Sequence, residues 1–188
     1  MFKQSSFTIR GVSPLIVHNG QLADPMNPIV KDIKRLTGKR DKTEADQEEI
    51  ARLEWYGGLY LHNFAPCIPG EVLEATFGSA AKKKRKGQQV KAGLYCDGFF
   101  PIEYNGPRVP DELWQQEDFR LTCGVRVQRA RVMRTRPIFR DWAVSFTVTF
   151  NDSLLNPADI TDLLAYAGEN VGLCEWRPKF GRFTVEAA

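Results

Sequence analysis

Lys82, Lys83, Lys84, Arg85 and Lys86 form an unbroken cationic run, Lys91 follows it, and no acid interrupts the stretch from Ala75 to Cys96. A second segment, VRVQRARVMRTRPIFR over residues 125–140, carries Arg126, Arg129, Arg131, Arg134, Arg136 and Arg140, again without an acid. Two segments thus hold twelve of the 26 basic residues. The chemistry such residues offer is phosphate recognition: lysine acts as a hydrated point charge, while the planar arginine fork binds phosphate in a bidentate manner and stacks on bases. Near the C-terminus Trp176, Arg177, Lys179 and Phe180 interleave rings and charges. That is the composition of a surface where bases stack and cations follow a single strand.

Each segment has a plainer reading. Lys82–Lys86 can be a solvated helix end or flexible loop, but a helix dipole rewards only one or two well-placed cations, by ~0.3–1 kcal/mol each. Some of the arginines can pair with the acidic segment Asp41, Glu44, Asp46, Glu48, Glu49 and Glu54, in the same or a neighbouring subunit. Read as one strand, residues 125–140 place Arg129 and Arg131 on the opposite parity to Arg126, Arg134 and Arg136. Arginine then points to both faces, and the strand must bulge, twist or protrude as a hairpin, because unpaired buried charge is costly. Phe183 reads as core; Trp176 is open between core and base stacking.

Catalytic constellations are not legible. Only His18 and His62 offer imidazoles, and Cys67, Cys96, Cys123 and Cys174 form no CxxC pair. No metal site or cofactor is expected, and the cysteines read as reduced. No GxxxxGK phosphate loop occurs.

The elements that must position the basic segments are partly readable. SSFTIRGVSPLIVHN predicts a strand over about residues 6–17, followed by a Gly/Asn/Asp/Pro loop. Thr43 caps a helix with Asp46 at its third position, an apolar stripe of Ile50, Leu53 and Tyr56, and a stop at Gly57-Gly58. Pro69 opens a second helix, whose buried face is Val72, Leu73, Thr76, Phe77 and Ala80. WAVSFTVTF alternates throughout, with Trp142, Val144, Phe146, Val148 and Phe150 on one face, as in a half-buried antiparallel strand. Asn156-Pro157 starts a helix with Ile160, Leu163, Leu164 and Ala167 as its stripe, and a last strand spans about residues 182–186. With the arginine segment as a strand, the order is βαββαβ. This is an α+β, ferredoxin-like or RRM-like single domain over 1–188, with insertions at about 20–65 and 88–120.

The 188 residues are 43% hydrophobic and 26% charged, with a net charge of +3. No apolar run approaches a membrane span and the N-terminus lacks a signal-peptide pattern, so a cytoplasmic protein without a membrane partner is expected. The separated basic and acidic segments suit a polyanion partner.

PCIPGEVLEATFGSAA resembles the proline-glycine-then-helix element of the RAMP superfamily of CRISPR-associated proteins, especially the backbone subunits that polymerise along a guide RNA. GENVGLCEWRPKFGRFTVE is similar to the glycine-containing loop and terminus of that superfamily, and an opening strand running into a long loop also fits. The sequence departs from the pattern at Gly172-Leu173-Cys174, where many members carry a second glycine. The resemblance implies an RRM-like core and a non-catalytic protein binding single-stranded nucleic acid, RNA ahead of DNA. It also implies assembly into a homo-oligomer or filament, which complementary acidic and basic faces would support. The alternatives are a metal-independent RAMP-type endoribonuclease, in which Asp24 or His18 would act, and a structural or inhibitor protein of phage origin.

Overall fold

The computed structural model describes residues 1–127 and 129–187. Its strands are β1 Phe2–Gly11, β2 Leu15–Ile16, β3 Leu61–His62, β4 Ala65–Pro69, β5 Leu94–Tyr95, β6 Phe99–Glu103, β7 Arg120–Val127, β8 Ala130–Phe139, β9 Ala143–Asn151 and β10 Phe183–Ala187. Its helices are α1 Pro28–Thr37, α2 Glu44–Gly58, α3 Gly70–Lys83, α4 Gly87–Gly93, α5 Pro110–Trp114 and α6 Pro157–Asn170.

Among the described residues, the larger sheet is antiparallel with strand order β10-β1-β9-β6-β4-β3, and β5 also pairs with β9. Its heart, β10-β1-β9-β6 crossed by α3 and α6, is the 4-1-3-2 arrangement of a ferredoxin-like α+β fold. The alternation of β9 explains why this sheet has one dry face. Val144, Phe146, Val148 and Phe150 are buried with Phe7 and Ile9 of β1 against Leu73 and Phe77 of α3 and Ile160, Leu163 and Leu164 of α6. Each such side chain contributes roughly 1.5–3 kcal/mol. The other face is a ladder of small hydroxyls: Ser6 meets Thr147 at 3.1 Å and Thr8 meets Ser145 at 2.9 Å.

Three expectations are corrected. The first strand ends at Gly11 rather than near residue 17, and Leu15–Ile16 pairs instead with β8 in a second sheet, β2-β8-β7. Pro14 lies between the two, and its missing N–H suits the break. The arginine segment is not the second core strand, a place taken by β6; it folds with residues 120–124 into a hairpin of the second sheet. Helix α2 buries Trp55 and Glu54 more deeply than Ile50, Leu53 or Tyr56. Trp55 is anchored by its Nε1 donating to the Phe119 carbonyl at 2.8 Å. The Thr43–Asp46 capping box forms as its sequence spacing predicts. Helix α1, capped by Asn27 with Pro28 at its first turn, begins where the stretch read as loop ends. Among the described residues, no helix is long and apolar enough to cross a membrane.

Candidate nucleic-acid interface

The β7–β8 register pairs Thr122 with Thr135, Cys123 with Arg134, Gly124 with Met133, Val125 with Val132 and Arg126 with Arg131. The chain reverses between Val127 and Ala130, which pair with each other, so counting parity along the segment misassigns the faces. Paired residues in an antiparallel ladder share a face. Arg126 and Arg131 therefore stand together on the face that also carries Met133, whereas Arg134 and Arg136 lie on the other. Arg126 and Arg131 are exposed, as is Arg129 in the turn. Arg129 and Arg131 have no side-chain partner among the described residues.

The base of the hairpin is braced. Arg134 donates to Glu54 Oε1, while the Thr135 backbone N–H donates to Glu54 Oε2 at 3.1 Å. Glu54 is only 7% exposed, so it is a buried acid made tolerable by these two donors. Arg136 donates to Glu175 Oε2 at 3.2 Å and lies over the Trp176 ring, 5.5 Å from its centre. Arg134 and Arg136, both expected to face nucleic acid, are thus engaged inside the chain. For Arg134 the partner is the acidic segment itself.

Arg136 also joins the hairpin to the C-terminal loop. That loop is built on Gly172 and Gly181, with φ of 81° and 72°. A Cβ at Gly181 would lie 2.0 Å from the Leu173 carbonyl oxygen, so glycine is required there. Leu173 N–H donates to the Gly181 carbonyl at 2.8 Å, and the loop is stitched to the start of the chain by Glu175 N–H on the Ile16 carbonyl at 3.1 Å and Gly181 N–H on the Pro14 carbonyl at 2.9 Å. It displays Trp176, Arg177 and Lys179 at the surface. Trp176 is 37% exposed and inclined to Phe180 at 5.8 Å, and the Lys179 ammonium lies 5.4 Å from the Phe180 ring. Phe183 is core, at 2% exposure.

His18 is half-buried beside this junction. Burial holds its imidazole below its ordinary pKa, Arg136 and Arg134 push the same way, and Glu175 opposes them. The ring is therefore neutral at neutral pH. Asp24 accepts from the Met26 N–H at 2.8 Å, closing an exposed turn. Burial alone raises the Cys67 thiol to about 11. The four cysteines are free thiols, Cys67 and Cys96 buried and Cys123 and Cys174 half-buried. No metal-holding group of His, Cys, Asp and Glu occurs among the described residues.

The lysine run sits elsewhere. Lys82 and Lys83 form the last turn of α3, Lys84 caps it, and Lys86 precedes α4, so the run is a corner between two helices rather than a flexible loop. The Lys84 ammonium lies 4.5 Å above the Tyr166 ring, and Lys86 pairs with Asp159, both on α6. From Asp159 to Val171, where the C-terminal loop begins, α6 rises about 18 Å at 1.5 Å per residue. The two basic segments therefore do not form one continuous patch. Lys82, Lys83, Arg85 and Lys91 are exposed.

The bracing residues Glu175 and Tyr166 escaped the sequence reading, whereas Glu54 stood within the acidic segment that it offered as an arginine partner. Glu54 left one usable signal, an acid beside the core residue Trp55. The acidic segment is also partly consumed within the chain: Asp46 by its cap and Lys39, Glu49 by Arg52, and Glu54 by Arg134.

No protein-family model matches the chain, and no curated protein matches its sequence. Among solved structures, it is similar to a chain of the type III-B Cmr-beta bound to cognate target RNA, seen by cryo-EM, with a TM-score of 0.52 and 10% identity. The match covers 98% of this chain and 59% of that one, so this chain spans less than two thirds of its neighbour's length. At this identity the likeness is one of fold: the α+β, ferredoxin-like architecture described above is shared with that chain.

Proposed function

We propose that the chain binds single-stranded RNA through the tip of the β7–β8 hairpin and the loop carrying Trp176, Arg177 and Lys179. In this reading residues 1–188 are one RRM-like domain, and copies line up along the strand as CRISPR effector backbone subunits do. One observation carries it: Arg129 and Arg131 stand unpartnered among the described residues, on a hairpin whose base is held rigid by Arg134–Glu54 and Arg136–Glu175. A guanidinium on such a strut loses little freedom when it meets phosphate, and Trp176 offers a ring on which a base can stack. The fold likeness to a chain of a Cmr-beta that is bound to target RNA supports the choice of RNA over DNA. The test is anisotropy titration of labelled RNA and single-stranded DNA of one sequence over a range of salt. About five neutralised phosphates give a log-log slope of roughly −3 to −4. A slope near zero sinks the proposal, and light scattering that remains monomeric at saturating RNA removes the alignment of copies.

A second reading, metal-independent RNA cleavage, draws on His18, a neutral base beside the cation Arg136. Labelled RNA that survives prolonged incubation with the protein in chelator eliminates it.

A further inference from the structure

Helix α3 passes into α4 through Arg85, whose φ is 59°. The Lys84 N–H donates to the Ala80 carbonyl at 3.1 Å and the Lys86 N–H to the Ala81 carbonyl at 2.9 Å. Helices that end in this pattern put a left-handed residue just past the cap, where glycine is favoured because any other side chain is strained. Here that position carries an arginine. Its neighbours Lys84 and Lys86 are tied to α6, but Arg85 has no side-chain partner among the described residues.

Arg85 borders a trough of about 810 Å³ between α3 and α4, together with Lys82, Lys91 and Gln88. Ala75 and Gly78 lie along it, and a Cβ built at Gly78 would meet nothing within 4 Å, so this wall is bare. Two acids also line it: Glu74, whose carboxylate accepts from the Cys96 N–H at 2.8 Å, and the exposed Glu71. Val90 and Leu94, the large apolar side chains here, are buried. The trough therefore offers no exposed large apolar side chain of the kind that anchors a protein partner. Three cations around a bare groove instead match the profile of a phosphodiester backbone.

We propose that this trough is a second RNA-phosphate site, separate from the hairpin, and that Arg85 occupies a glycine position in order to serve it. The inference rests on the reading that the chain binds RNA. A left-handed backbone at a charged, unpartnered residue on the rim of the trough is the observation that singles Arg85 out.

Arg85→Gly tests it, because the substitution relaxes the turn while removing the ligand group. It is made in the parent and in an Arg129→Ala/Arg131→Ala background that disables the hairpin, and each protein is titrated with the same labelled RNA. The expected results are a Tm equal to or above that of the parent, a loss of affinity of at least fivefold in both backgrounds, and a salt slope shallower by about 0.7. Unchanged affinity, or a lowered Tm, overturns the proposal. Complete loss of binding in the hairpin background alone also overturns it, since no second site then remains. If instead the hairpin variant binds like the parent and Arg85→Gly does not, the trough stands and the hairpin reading falls. If Arg85→Gly leaves RNA binding intact but abolishes binding of poly-glutamate, the trough takes an acidic polypeptide and the RNA assignment is overturned. A parent that binds no RNA overturns both.

Discussion

At the base of the hairpin Arg134 meets Glu54, and Arg136 lies between Glu175 and Trp176; nearer the tip of the same strand, Arg131 has no partner among the described residues, and neither does Arg129 in the turn. The lysine corner repeats the division within five residues: Lys84, itself exposed, and Lys86 contact α6, while Lys82, Lys83 and Arg85 have no side-chain partner among the described residues. A run of like charge is therefore not a functional unit. What each cation does depends on what the fold places opposite it, and the braced members hold the open ones in position.

The braced half should show the largest effect. Replacing Arg134 by Ala leaves the Glu54 carboxylate buried with one backbone donor. Breaking a fully buried pair costs about 3–5 kcal/mol. Water reaching the Arg134 side chain, 37% exposed, reduces the expected loss to about 2 kcal/mol of unfolding free energy. Urea denaturation measures it, and Glu54→Gln in the Arg134→Ala background should recover part of the loss by removing the stranded charge. Wild-type stability for Arg134→Ala would erase the distinction between base and tip.

The open half should behave in the opposite way. Arg129→Ala with Arg131→Ala should leave the urea midpoint unchanged and weaken RNA binding by roughly 1 kcal/mol for each contacting residue, chiefly through a faster off-rate. Stopped-flow binding with circular dichroism on the same samples separates the two. A variant that unfolds shows these arginines to be structural after all.

This division could not be read from the chain. The alternation of Trp142 to Phe150, the Thr43 and Asn156 caps, and the Leu163/Leu164 stripe are local signals, and they predicted β9, α2 and α6. The stretch 125–140 carries no glycine, asparagine or aspartate to announce a tight turn, so the arginine segment read as one strand and its faces were assigned by a parity that the pairing of Val127 with Ala130 resets. The braces are remote in sequence: Glu54 is 80 residues from Arg134 and Glu175 is 39 from Arg136. No spacing rule reaches that far. Helix α1 was within reach, since Asn27-Pro28 repeats the Asn156-Pro157 start, but its Gly/Asn/Asp/Pro-rich approach resembles a loop.

His18 sharpens the comparison through pH. Its imidazole is held below its ordinary value of 6.5 by burial, Arg136 and Arg134, against the opposing pull of Glu175. As pH falls below about 6.5 the unfolded chain takes up this proton before the folded one does, so stability declines, by at most about 1.4 kcal/mol per pH unit for one proton. The decline ends once pH passes below the folded value. His18→Gln should flatten the dependence of the urea midpoint between pH 7 and 5. An unaltered profile would mean that the junction holds no titrating histidine.

The smallest effect is expected at the lysine corner. Lys86 lowers the Asp159 pKa below its ordinary 3.8, helped by the Asn156 N–H of the helix cap. Because the folded value is the lower one, this contact stabilises the fold above the ordinary carboxylate range, and its contribution is lost as pH falls through that range. Both side chains remain partly exposed, so the pair contributes only roughly 0.5 kcal/mol, and the Lys84 contact with Tyr166 a similar amount. Lys84→Ser with Lys86→Ser should therefore lower the midpoint slightly, move the Asp159 titration followed by NMR back toward its ordinary value, and leave RNA affinity within twofold of the parent. Arg85→Gly, one residue from each, should leave the midpoint equal or higher and weaken RNA binding at least fivefold. If the two lysines together weaken RNA binding as much as Arg85 does alone, the corner acts as an undivided cationic patch, and the assignment of Lys84 and Lys86 to the scaffold is wrong.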